Sequence, residues 1–252
     1  MPAWTCASSS ERARGGTAAR LDAALRHPVV KPLVFVLALA PFVSLLAGAV
    51  ANTLGANPAE ALIRGLGDWT LRLLCLTLAV TPLRQALRLP SLARLRRMLG
   101  LFAFFYAAMH LLAYAWLDMG FVVADLVRDI AKRPFVLAGA TALLLMLPLA
   151  ATSFDRAIRS LGARRWQALH RAVYAVAGLA LLHFFWMRAG KNDFAEVGVY
   201  AAIVATLLGW RLARRLHAPQ RMNPGSHSAS ASTSSTTNSA TISATTNIHT
   251  PR

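Results

Sequence analysis

Apolar residues fall into six runs, at about 33–51, 69–83, 98–117, 134–151, 169–187 and 194–212, and polar or basic residues fill the segments between them. A run of this length wound as an α-helix rises about 1.5 Å per residue and comes close to crossing the roughly 30 Å of a bilayer's hydrocarbon core. The pattern predicts an all-α integral membrane protein, a bundle of six transmembrane helices. Pro41 and Pro148 lie inside the first and fourth runs, and Thr81-Pro82 closes the second. The first run has a competing reading as a signal peptide, because Ala49-Val50-Ala51 behind a basic region has the form of a cleavage site. It is long for a signal's apolar core and its basic tail is extended, so a retained span is the expectation.

Both ends of the chain lack this pattern. Residues 1–30 are rich in Ala, Arg and Ser and read as a tail, helical near 21–25. Residues 217–252 are mostly Ser, Thr, Asn and Ala, with too little apolar surface to bury a core, and are expected to be disordered. The expected organisation is therefore a tail over 1–30, a six-span domain over 31–216 and a second tail over 217–252, in which His227 and His249 are incidental.

Charge changes the picture by its placement. The net charge is +17 and the mean hydropathy +0.47. In a soluble chain that basic excess would point to nucleic acid. Here eighteen Lys and Arg lie in the two tails and the second and fourth connectors, against six on the other side of the predicted membrane. By the positive-inside rule both termini are cytoplasmic, most of the basic charge is topological, and no nucleic acid partner is implied. The cysteines, Cys6 and Cys75, are too few and too far apart for a dithiol exchanger or a disulfide framework.

Three histidines stand on the apolar runs: His110, His170 and His183. An ionisable side chain within a span is costly and is by default a candidate functional residue. Spans three and five both enter from the cytoplasmic side, so His110 lies roughly 18 Å in and His183 roughly 20 Å beyond His170, which sits at the inner rim. His110 and His183 therefore share a level in the outer half of the bilayer, as two axial ligands of one b-type heme require. Ala107, Ala108, Gly178 and Ala180 leave room for a porphyrin. The competing reading makes each imidazole a polar tie to a neighbouring helix. His170, at the interface, is a further candidate iron ligand, with an ordinary polar role as the competing reading.

The segments Arg96-Arg97-Met98-Leu99-Gly100-Leu101, Met109-His110-Leu111, Arg133-Pro134-Phe135, Arg165-Trp166-Gln167-Ala168-Leu169-His170 and Leu182-His183-Phe184 closely resemble the MsrQ family, heme-binding membrane subunits of a periplasmic protein-methionine-sulfoxide reductase system. The resemblance covers about residues 67–215. More distantly the chain is similar to the ferric reductase and NADPH oxidase membrane domain. The resemblance implies a bacterial inner-membrane protein with heme b and flavin mononucleotide (FMN), passing electrons from the quinone pool to a periplasmic molybdopterin-containing reductase that repairs oxidised methionine. A separate cytosolic flavin reductase is the other candidate donor.

Oxidase-type domains of that wider group resemble this one but carry a second histidine thirteen residues before the outer ligand on each of two helices. Here that position before His110 is Arg97. The inner heme would lack a ligand, which leaves one heme outside and places FMN at the inner side, near Arg96, Arg97 and His170. Guanidinium groups suit its phosphate, although the same arginines also serve as ordinary positive-inside anchors. No dinucleotide-binding glycine motif follows a strand-like run, so the chain is expected to be an electron-transfer subunit rather than a complete enzyme. A small heme-free transporter or scaffold with structural histidines is the alternative; the two halves show no matching repeat.

Overall fold

The second apolar run begins earlier than its glycines suggest. Asn57 caps helix α3 (Pro58–Ala86), its side chain accepting from the Glu60 N–H at 3.2 Å, with Pro58 at the first helical position. The helix then runs straight through Gly65 and Gly67, which the sequence pattern places outside it. This computed structural model describes residues 9–189 and 194–216, and the described residues contain helix and no strand.

Six segments are long and apolar enough to cross a membrane. They are α2 (Val30–Val50), α3, α4 (Ala93–Leu117) with a 3-10 turn at Pro90–Leu92 before it, α6 (Pro134–Ala151), the pair α8 (Ala163–His170) and α9 (Val173–Ala189), and α10 (Ala195–Leu216). The remaining helices are α1 (Ser9–Arg26), α5 (Val123–Lys132) and α7 (Asp155–Leu161). The core centres on α3, which packs along α4 and buries Leu66, Leu71, Leu73, Leu74 and Leu78, while α6 packs along α9. The outward faces stay apolar, with Leu37 at 62% and Leu144 at 63% exposure, as lipid-facing surface requires.

Three expectations change in detail. The tail over 1–30 contains the 18-residue helix α1, which docks on the α3–α4 connector through Asp22. Asp22 is buried, accepts the Ser91 N–H at 2.8 Å and pairs with Arg26. The Ser91 N–H holds its carboxyl below the usual range. The segment 118–133, which the hydropathy pattern leaves as a polar connector between spans, carries α5, a strongly amphipathic helix tied to α4 by the Tyr114 hydroxyl donating to Asp129. Span five is not one helix: Arg171 and Ala172 donate to Ala168 and Leu169, three residues back, and this tight turn separates α8 from α9. Neither Gly nor Pro marks that turn in the sequence. The tail at 217–252, with His227 and His249, and Cys6 lie outside the described residues.

Prolines inside two helices are answered by side chains from others. Around Pro41, the Tyr106 hydroxyl accepts from Phe42 N–H and donates to Ala38 C=O, both at 2.8 Å. An unbroken helix would pair those two groups with each other. In α3, Pro82 has no N–H for the Leu78 carbonyl four residues back, and Arg211 Nη2 of α10 donates to it at 2.7 Å. Tyr106 is fully buried. Tyr106→Phe should therefore cost about 1–3 kcal/mol, the penalty for leaving buried polar groups unpaired. Thermal unfolding of the detergent-solubilised protein checks this; an unchanged Tm would mean that α2 closes on itself without the hydroxyl.

Candidate cofactor site

His110 lies seven residues before the end of α4 and His183 six before the end of α9, so the two helices carry them to one level. Their ring centres are 6.1 Å apart and their planes meet at 77°. Each ring is held by the same device. His110 Nδ1 sits 2.8 Å from the Ile63 carbonyl of α3, and His183 Nδ1 sits 2.6 Å from the Phe135 carbonyl of α6. A carbonyl only accepts, so each Nδ1 carries the proton and each Nε2 keeps a bare lone pair. Such a second hydrogen bond fixes the tautomer and orientation of a metal-binding histidine.

Glycine makes both contacts possible. Four residues after each accepting carbonyl stands a glycine, Gly67 after Ile63 and Gly139 after Phe135, and the imidazole occupies the space a side chain would fill. A Cβ at Gly67 would lie 3.3 Å from His110 Nδ1, and one at Gly139 only 2.9 Å from His183 Nδ1. Neither glycine stands out as a site residue by sequence pattern. For Gly139 the available signal is a glycine inside a predicted span, where it costs helix stability and marks close approach; Gly67 falls ahead of its predicted span and gives no such signal.

The two rings border a cavity of about 350 Å³ between α3, α4, α6 and α9, within the range of cofactor sites at roughly 300–1,000 Å³. Its walls are apolar, with Leu71, Leu74, Leu111, Leu143, Met146 and Val176 among them. Ala107 and Ala180 line it as expected, whereas Ala108 and Gly178 do not. At its mouth stand three arginines, each paired with a carboxylate: Arg64 with Glu60, Arg133 with Asp129 and Arg188 with Glu196, at 2.6–2.8 Å.

Among the described residues no group of three or more His, Cys, Asp or Glu could hold a metal. Two imidazoles alone do not complete a coordination sphere. They suit a metal that brings its own equatorial donors, as a porphyrin does. A metal about 2 Å from one nitrogen of each ring sets ring centres about 6 Å apart, which is the spacing found.

The remaining sequence-predicted residues lie at the opposite, arginine-rich end, and the structure does not bring them to the pair. His170 stacks on Trp166 with ring centres 4.0 Å apart, and its Nε2 is 3.1 Å from Thr152 Oγ1. The Thr152 hydroxyl already donates to Pro148 C=O at 2.6 Å, so His170 Nε2 is the donor. Its proton is thus on the nitrogen that the other two histidines leave bare. Arg96 lies within electrostatic range of His170. Arg97 is half-exposed and pairs with Asp155 of α7 at 2.7 Å, and this hydrogen bond holds the Asp155 carboxyl below its ordinary value.

Six apolar helices with a histidine pair in the core define a class, and residues 66–181 match the family described as "Ferric reductase like transmembrane component". Within it, this chain is 65% identical over 188 residues to the "Protein-methionine-sulfoxide reductase heme-binding subunit MsrQ" of Polaromonas naphthalenivorans (strain CJ2), covering 75% of this chain and 86% of that protein. Proteins of the same name from Ralstonia nicotianae (strain ATCC BAA-1114 / GMI1000) and Azospira oryzae (strain ATCC BAA-33 / DSM 13638 / PS) are 52% identical over 183 residues and 51% over 199. They cover 73% and 77% of this chain and 84% and 85% of their own lengths. The chain belongs to the MsrQ family, and is a multi-pass protein of the bacterial inner membrane. No solved structure matches it.

Proposed function

We propose that this chain is the b-type heme electron-transfer subunit of a protein-methionine-sulfoxide reductase system, with His110 and His183 as the axial ligands. One observation carries the reading: two imidazoles at one level, each with Nδ1 committed to a backbone carbonyl and Nε2 left bare, beside an apolar cavity. Relatives at 50–65% identity carry the words "heme-binding subunit" in their names. When bound, the heme supplies reversible one-electron exchange. The chain's own residues orient the ligands and exclude water with Leu and Val walls.

The wider reading follows from the charge distribution. With both termini and the tails over 1–30 and 217–252 in the cytoplasm, the six-span domain over 31–216 places the histidine pair roughly 10 Å from the periplasmic helix ends. A periplasmic molybdopterin-containing catalytic subunit is the acceptor and repairs oxidised methionine in proteins. The donor, a membrane quinol or a cytosolic flavin reductase, acts at the arginine-rich end, where FMN lies near Arg96 and His170. Arg97 contributes less than its sequence position suggests, because Asp155 neutralises it.

Absorption spectroscopy of the purified protein tests the proposal. A Soret band that shifts on dithionite reduction is expected, with one heme and one FMN per chain on extraction. A heme-free protein would overturn the reading; two hemes per chain would require a ligand beyond the pair.

A further inference from the structure

Among the described residues only Arg211 of α10 buries side-chain nitrogens that have no hydrogen-bond partner, its Nε and Nη1. The third nitrogen, Nη2, is fixed on the Leu78 carbonyl freed by Pro82, and the guanidinium carbon stands 5.3 Å from the Tyr174 ring centre. The group is therefore held in place with two donor nitrogens unspent. Arg96, on the first turns of α4, is partly buried and lies within electrostatic range of Arg211 and of Arg84. No described ion pair involves Arg96 or Arg211. The described carboxylates at this end are taken, Asp155 by Arg97 and Asp22 by Arg26. Burying one guanidinium beside another without a counter-charge is strongly unfavourable, and none of the described side chains supplies that charge.

We propose that Arg96 and Arg211 form an anion site at the arginine-rich end of the bundle, and that it holds the phosphate group of a small amphipathic molecule. Two guanidiniums offer several converging N–H groups, which a tetrahedral oxyanion with several acceptor atoms uses better than a single carboxylate does. The phosphate belongs either to FMN or to an anionic lipid headgroup. In its flavin form the inference rests on the FMN placement above, and it moves the phosphate from the neutralised Arg97 to Arg211.

The test uses the full chain in phosphatidylcholine nanodiscs, titrated with FMN and with riboflavin, which lacks the phosphate, and followed by flavin fluorescence. Wild type should bind FMN about tenfold or more tighter than riboflavin, as expected for charged hydrogen bonds. Arg211→Gln and Arg96→Gln should each bring FMN down to the riboflavin level, Arg97→Gln should stay within about twofold of wild type, and Arg211→Lys should fall between. If FMN and riboflavin bind alike, native mass spectrometry in discs containing phosphatidylglycerol decides the source. Lipid retained by wild type and lost in Arg211→Gln supports the anion site while removing the flavin. FMN binding and lipid retention unchanged in both glutamine variants would overturn the site, even with FMN bound elsewhere. The Soret band reports folding throughout; if Arg211→Gln does not accumulate, Arg96→Gln decides by the same readouts.

Discussion

His110→Ala and His183→Ala are each expected to insert into the membrane and to lose heme, falling below about a tenth of the wild-type heme-to-protein ratio for two axial ligands that act together. The two rings come from α4 and α9, and they are the only imidazoles in the cavity lining among the described residues. Removing one ring also leaves its partner as a lone imidazole facing an enlarged apolar cavity. His170→Ala is the control, because its Nε2 is occupied by Thr152 at the far end of the bundle. Heme content by extraction, with membrane insertion followed separately, makes the measurement. Full heme in both pair variants would remove the assignment, and heme loss in His170→Ala alone would relocate it.

Gly139→Ala is expected to have nearly as large an effect, although it adds a single methyl group. That carbon would fall 2.9 Å from Nδ1, 3.0 Å from Cε1 and 3.2 Å from Cγ of His183, three atoms of one rigid ring. The ring cannot retreat without lengthening its 2.6 Å bond to the Phe135 carbonyl, and that bond is what leaves Nε2 free. The equivalent change at Gly67 meets His110 atoms at 3.3 Å, which a small shift absorbs, so Gly67→Ala should bind heme with a modest spectral change. Helix propensity predicts the opposite sign, since replacing glycine by alanine in a helix is worth up to about 1 kcal/mol of stability. Gly139→Ala should thus lose heme while its apo form unfolds no more easily than wild type. Comparable heme content in Gly139→Ala and wild type would show that His183 has freedom this packing denies it.

Much of this was legible in the chain itself. Runs of apolar residues specify spans because a bilayer offers backbone groups no partner but the helix. Equal depth for His110 and His183 followed from counting residues along helices that enter from the same side, and their rings do meet. The boundaries were less legible where local signals misled. Gly65 and Gly67 look like a helix start, yet Gly67 is a packing residue, and only the neighbouring imidazole reveals why it is there. Span five gave no sign of its turn at Arg171 and Ala172. The segment at 118–133 shows in hydropathy only as a polar connector, although α5 within it places apolar and charged residues on opposite faces at helical spacing.

By itself, then, the sequence determined the six-span architecture and the common level of the two central histidines, because hydropathy and helical rise are properties of residues in order. Tertiary structure alone decided what each polar group faces. His110 and His183 read like His170 in one dimension; only packing against Ile63 and Phe135 bares Nε2 in the first two, while Thr152 engages it in the third. Arg96, Arg97 and Arg211 likewise appear as equivalent positive charges along the chain. Their difference arises from Asp155 beside Arg97 and from the absence of any described carboxylate partner for the other two, since the energy of a buried charge is set by its neighbours in space.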